Sequence, residues 1–255
     1  MNQNIQHFWE LLWGMTEKEL KARYKYTVFG FLWMIINPVL QMLVIGFVFT
    51  FFMKEPVQHY YFYLFIGLLA WNFFSLSLTK ATPSIVNERS LIKKARFPRA
   101  VIPLSIILSN LVHMLLVFLL YVVAILFLGT SFWLRLPHIL AGICLLTVFT
   151  TGFSLLTSAL NVRFRDVNFF VQAALIIWFY ATPIVYVITI VPYKFIWFWR
   201  LNPLTSAVQL LQYGFLNASP PGIAMLTANI VTTIIITMLG IIIFQRESKN
   251  FDDWV

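Results

Sequence analysis

Six long stretches of this chain contain no Asp, Glu, Lys or Arg: residues 26–53, 56–79, 100–134, 136–162, 167–193 and 201–245. A helix that crosses a bilayer needs about 20 consecutive apolar residues, so each stretch is long enough to span. The first five suit one span apiece. The sixth is broken by Asn202-Pro203 and by Pro220-Pro221-Gly222, where proline ends a helix and glycine favours a turn. Residues 223–245 then form the last span. The piece before it, 201–219, carries Asn202, Thr205, Ser206, Gln209, Gln212 and Asn217, which is too polar for lipid; it reads as a short interfacial or re-entrant helix with protein or water over its polar side. Hydrophobic residues make up 60% of the 255 and charged residues 11%, whereas soluble domains carry about 25% charged residues. The expected fold is an all-α integral membrane protein, one domain over 1–255. Its spans lie near 29–53, 60–79, 100–128, 137–161, 168–190 and 223–245.

The net charge of +9 would suggest nucleic-acid binding in a soluble chain. Here the basic residues sit between apolar runs, as in the loops of multi-pass proteins. Fourteen of the eighteen fall on one side if six spans put both termini together: in 1–28, 80–99, 162–167 and 245–255. Lys54, Arg135, Lys194 and Arg200 fall on the other. The positive-inside rule makes the first side cytoplasmic. Trp133, Tyr193, Trp197 and Trp199 then mark the outer interface. Residues 1–25 mix acids and bases and lack a signal-peptide pattern, so the first span is expected to act as an uncleaved anchor. The single cysteine, Cys144, lies in an apolar run and reads as packing.

No charged residue falls within the expected spans. Ion-coupled transporters keep ionisable groups at membrane depth, and His113 is the one candidate. It shares a helix face with Ser105 and Ser109, which favours interhelical hydrogen bonding over a proton relay. No phosphate-binding G-x-x-x-x-G-K-[ST] motif, H-E-x-x-H or G-x-S-x-G occurs. The cysteine and scattered histidines suggest no metal site. A membrane-bound enzyme acting on lipid-linked sugars would need carboxylates at one face, with Glu55 and Asp166 as its test residues. Asp166, in a short turn, reads better as a capping or pairing group. If this chain moves something uphill, the energy must come from a partner.

Two inside segments could meet one. Residues 4–25 read as an amphipathic helix with Ile5, Phe8, Trp9, Leu12, Met15 and Leu20 on one stripe, suited to the membrane interface. Residues 84–96 read as a short helix capped by Ser84 and ended before Pro98. They mix apolar and basic positions as a lever for a soluble motor would. Along the presumed route, Trp33, Asn37 and Gln41 share a face of the first span, and Gln172, Phe179, Tyr180 and Pro183 line the fifth. Aromatic rings offer sugars broad, unregistered contact. Thr147, Thr151, Ser154, Thr157, Ser158 and Asn161 in the fourth span read as bundle glue, because small hydroxyl residues let helices approach closely.

Four blocks carry a family likeness: ELKARYKYTVFGFLWMIINPVLQMLV (19–44), KKARFPRAVIPLSIILSNLVHML (93–115), RFRDVNFFVQAALIIWFYATPIVY (163–186) and LNPLT (201–205). Together and in order they resemble ATP-binding-cassette exporter permeases of the type-two class, closest to those exporting lipid-linked polysaccharide (O-antigen or capsule) or teichoic acid. The resemblance implies a bacterial inner-membrane homodimer over two ATPase subunits, which hold ATP and magnesium; this chain itself would hold no cofactor. It implies a coupling helix over 84–96, with Ser84, Asn87, Glu88, Arg89, Leu91, Lys93, Lys94 and Arg96 facing the ATPase. Trp33, Asn37, Gln41, Gln172, Phe179 and Tyr180 would face the substrate. The stretch 192–222 would form outer re-entrant or gate helices, with Asn202, Gln209 and Gln212 at the gate, where Gln209 and Gln212 replace the Glu and Arg of many members. Membrane lipids and a lipid-linked glycan are the other implied partners, and nucleic acid is not. A lipid or drug exporter of the same fold, and a purely structural subunit, are the remaining alternatives.

Overall fold

The computed structural model describes residues 3–25, 32–51, 59–94, 97–127, 129 and 132–251. Among these residues the regular structure is all helical. The helices are α1 (Gln3–Tyr24), α2 (Trp33–Thr50), α3 (Tyr60–Ala81), α4 (Ser84–Asn87), α5 (Arg89–Lys94), α6 (Val101–Phe127), α7 (Leu136–Arg163), α8 (Asp166–Ala181), α9 (Ile196–Arg200), α10 (Pro203–Leu216) and α11 (Ile223–Glu247). Four helical stretches, Tyr60–Ala81, Val101–Phe127, Trp133–Arg163 and Ile223–Asn250, are long and apolar enough to cross a membrane. Two more, Ile35–Thr50 and Asp166–Ala181, are apolar but shorter; 16 residues reach about 24 Å, less than the roughly 30 Å hydrocarbon layer. Residues 26–31, which precede α2, lie outside the described residues, as do Glu55 and Arg96.

The fifth expected span, 168–190, is helical only as far as Ala181. Pro183 has no N–H to offer and disfavours helix at the residue before it, so the chain unwinds at Thr182. Unwound backbone is tolerated at depth only when its polar groups are paired under a protein cover. Each carbonyl freed here finds a donor. Trp178 O accepts from Thr182 Oγ1 at 2.9 Å, Phe179 O from Thr182 N at 3.3 Å and Tyr180 O from Tyr186 Oη at 3.0 Å. Ala181 O accepts from Asn202 Nδ2 at 3.4 Å and Thr182 O from Ile184 N at 2.7 Å. Tyr60 and Tyr63 of α3 donate to Val185 O and Tyr186 O at 2.9 and 3.3 Å. Thr182, Ile184 and Val185 are fully covered.

The core has three parts. The largest joins α3, α6, α7, α8 and α10 around Phe74, whose ring stacks on Phe149 at 5.6 Å and meets Trp178 edge-on at 5.2 Å. A second cluster sits at the α4/α5 end, where Ile85 and Ile92 pack with Ile102, Leu155, Val162, Phe244 and Phe251. The third packs Leu64 and Leu68 of α3 against Ile184 and Val185.

Helix α7 packs most extensively against α11 and α10. The α7–α11 contact is close because Gly152 faces Gly240: a methyl group on Gly240 would overlap the Gly152 carbonyl, and one on Gly152 would overlap Thr237. Thr237 Oγ1 donates to Val148 O across the seam at 3.2 Å. The polar stripe of α7 contributes one direct interhelical bond of this kind, Thr82 Oγ1 to Thr157 Oγ1 at 3.0 Å. Thr150, Thr151 and Ser158 instead bond back to their own helix, which hydroxyl side chains do readily. Cys144 corrects its reading as a packed thiol, since it is exposed on the outer face of α7.

Candidate functional site

Helix α1 lies along α6. Leu12 and Thr16, one turn apart, are buried, while Trp9 and Trp13 are 58% and 60% exposed. The buried line therefore faces protein, and the tryptophans face outward. At its far end Arg23 donates through Nη2 to Asn110 Oδ1 of α6, and Asn110 Nδ2 donates onward to Ser77 Oγ of α3 at 3.1 Å. Three helices are thus tied around one guanidinium.

Beside Arg23 opens a cavity of about 670 Å³, bounded by α1, α2, α3 and α6. Trp33, Asn37 and Gln41, grouped from sequence as one face, all line it. Asn72 and Ser75 of α3 face them, and Asn72 Nδ2 donates to Gln41 Oε1 at 3.1 Å. Trp71 forms part of the wall, with Phe179 of α8 edge-on to it at 5.4 Å. Gln172 and Tyr180 are exposed on α8 and do not line the cavity. Sequence reasoning missed Arg23, Lys80 and Asn72. Lys80 stood at the end of an apolar run and read as a loop charge, whereas α3 continues through it and carries it to the cavity wall. His113 also lines the cavity. Ser105 and Ser109, on the same helix face, donate to carbonyls of their own helix at 2.8 and 2.9 Å.

The segment expected as one helix over 84–96 is two helices of about one turn each, α4 and α5, meeting at Glu88. Glu88 leaves helical geometry, and its carbonyl accepts from Leu91 N and Ile92 N at 3.0 and 3.1 Å. Its carboxylate pairs with Lys18 of α1 at 2.9 Å. Ser84 does not cap: it is buried, and its hydroxyl donates to Ala81 O at 2.7 Å. Asn87, Arg89, Lys93 and Lys94 are exposed, Leu91 is half-buried, and Ile85 and Ile92 anchor the pair in the second core cluster. This leaves a basic outer face on an apolar footing.

At the other end, the short helices α9 and α10 fill the segment expected to be re-entrant. An α-helix starts with unpaired N–H groups, and α10 starts inside the protein. Pro203 removes one such group, Asn202 Oδ1 accepts from Leu204 N at 3.2 Å, and Thr205 N donates to Asn202 O at 3.0 Å. Ser206 N donates to Asn229 Oδ1 of α11 at 3.1 Å, while Asn229 Nδ2 donates to Arg200 O at 2.6 Å. Asn202 also accepts from Trp178 Nε1 and donates to Thr182 Oγ1, both at 3.0 Å. At the C-terminal end of α10, Asn217 adopts the left-handed cap and donates to Tyr213 O at 2.9 Å, while Arg135 Nε donates to Gly214 O at 3.2 Å. Gln209 and Gln212 are buried; Gln212 Nε2 reaches Tyr63 O at 3.5 Å. All three residues expected at an outer gate thus lie inside one protomer.

A helical bundle with broken apolar helices, a short helix pair whose second member is buried and a polar cavity is the architecture of a membrane transport subunit. The sequence profile of the ABC-2 type transporter family matches residues 10–216, and the chain belongs to that family. It is 35% identical over 260 residues to an O-antigen export system permease protein, RfbA, from Klebsiella pneumoniae, covering 98% of this chain and 97% of that one. A second Klebsiella pneumoniae protein of that name is 34% identical over 98% and 97%. One from Myxococcus xanthus is 32% identical over 94% of each chain.

Proposed function

We propose that this chain is the permease subunit of an ATP-driven exporter that carries lipid-linked polysaccharide of the O-antigen type from the cytoplasmic to the outer side of a bacterial inner membrane. The observation that carries the reading is the near full-length likeness to permeases of that name. The cavity supports it: amides and indoles from Trp33, Asn37, Gln41, Trp71 and Asn72 suit the hydroxyls and apolar faces of sugars.

Two copies would assemble about a two-fold axis. The broad apolar faces of α2 (Leu40, Leu43, Val44, Phe47) and α8 (Phe169, Phe170, Ile176, Ile177) are exposed and available to lipid or to the second copy. Two soluble ATPase subunits would hold ATP and magnesium and dock on α4 and α5 through Asn87, Arg89, Lys93 and Lys94. Motion there would reach the cavity along the Lys18–Glu88 link and α1, which carries Arg23 in its last turn. Both termini would then be cytoplasmic.

The test is reconstitution. Liposomes with the chain and its ATPase should move a lipid-linked glycan only when ATP is present, and omitting either polypeptide should stop movement. ATP hydrolysis or ion-driven transport by the chain alone would overturn the reading.

A further inference from the structure

Arg23, Lys80 and His113 come from three different helices, α1, α3 and α6, and line one cavity that no Asp or Glu among the described residues lines. Charged groups in apolar surroundings are costly and are normally paired. Elsewhere on α1 even exposed lysines are paired: Lys18 with Glu88, and Lys21 with Glu17 at 2.5 Å. Arg23 instead bonds a neutral amide, which orients it, and forms no salt bridge among the described residues. Lys80 is half-buried and forms no salt bridge among the described residues. Its field comes from Arg23, which opposes its charge, and from Glu19, which favours it without lining the cavity. Two like charges and a histidine held around one void by a three-helix hydrogen-bond chain are the arrangement that an anion relieves.

We propose that Arg23, Lys80 and His113 form a subsite for the phosphate that joins glycan to lipid. This rests on the export reading and names which part of the substrate the cavity grips. Lys80 and Asn72 lie eight residues apart on α3, so the basic and amide ends of the cavity are about 12 Å apart. A phosphate seated at Lys80 places the first sugars beside Asn72 and Gln41. Trp33, Asn37, Gln41 and Leu76 are exposed, so the cavity opens at the protomer surface and the lipid tail can stay in the bilayer. The volume of about 670 Å³ falls within the roughly 300–1,000 Å³ of small-ligand pockets. It suits a head group and not a polymer.

The test is binding to the full chain in nanodiscs, with a radiolabelled isoprenoid diphosphate as probe. Competitors are phosphatidylglycerol, inorganic pyrophosphate and the uncharged isoprenoid alcohol. Lys80→Gln breaks no hydrogen bond among the described residues and should weaken probe binding at least tenfold at unchanged melting temperature. Lys80→Arg should stay within threefold of wild type, and Lys194→Gln, at the opposite end of the bundle, should change nothing. Competition by the alcohol and by pyrophosphate should be weak. Equal competition by phosphatidylglycerol would make this a general lipid head-group site, equal competition by pyrophosphate a free-anion site, and unchanged binding in Lys80→Gln no site; each overturns the proposal. Export failing while binding behaves as stated would sink the functional reading instead, so the two failures are separable.

Discussion

Replacing Asn202 with Ala removes one side chain that serves four groups. Its Oδ1 accepts from Leu204 N and Trp178 Nε1, and its Nδ2 donates to Thr182 Oγ1 and Ala181 O. Losing the helix cap costs about 1 kcal/mol. Leaving the Trp178 indole N–H unpaired costs about 1–2 kcal/mol. Hydrogen bonds in membrane bundles average nearer 0.6 kcal/mol, because the unfolded chain also finds partners. Asn202 is 6% exposed, which leaves solvent little access to the groups it would abandon, so a total of about 2–3 kcal/mol is expected. Asn202→Ser keeps a cap acceptor and should lose about half as much. Unfolding by SDS titration in mixed micelles, followed by near-ultraviolet circular dichroism, measures both. A double-mutant cycle with Trp178→Phe should return a coupling of about 1 kcal/mol. Stability of Asn202→Ala within 0.5 kcal/mol of wild type, or a cycle with no coupling, would refute the hydrogen-bond account of the α9–α10 segment.

Gly240→Leu should destabilise the bundle by about 1–3 kcal/mol through overpacking at the α7–α11 seam, read in the same titration. Gly14 has open space around the position of a Cβ, so Gly14→Ala should raise stability by up to about 1 kcal/mol. Paired reversal of Arg89 and Lys93 to Glu should abolish co-purification of the proposed ATPase at unchanged melting temperature, since both side chains are exposed. Cys144 is exposed on a membrane-crossing helix, so a lipophilic maleimide should label it in native membranes while a charged one should not.

Asn229 shows what is hard to read in sequence. It sits in the uncharged run 201–245 and looks like any tolerated polar residue in a span, yet it is fully buried and joins α9, α10 and α11. Nothing local marks it, because its partners are backbone groups 23 and 29 residues away. The Trp33–Asn37–Gln41 face was legible because it lies within one helix and needs only the 3.6-residue period. Its opposite wall, Asn72 with Lys80, was not, because that wall belongs to another helix whose rotation depends on packing. Gln172 and Tyr180 followed the same periodic rule yet face away from the cavity, since period identifies a face and not its neighbour.

From sequence alone came the all-helical membrane character, the break at Pro203, the amphipathic α1, and the family likeness. Each follows from terms that act along the chain: transfer of apolar side chains out of water, and the missing N–H of proline. Tertiary structure decided which helices meet, and with that the Gly152–Gly240 seam, the pairing of the carbonyls beyond Ala181, and the convergence of Arg23, Lys80 and His113 on one void. Those outcomes depend on shape and on donors and acceptors far apart in the chain, which no local period encodes.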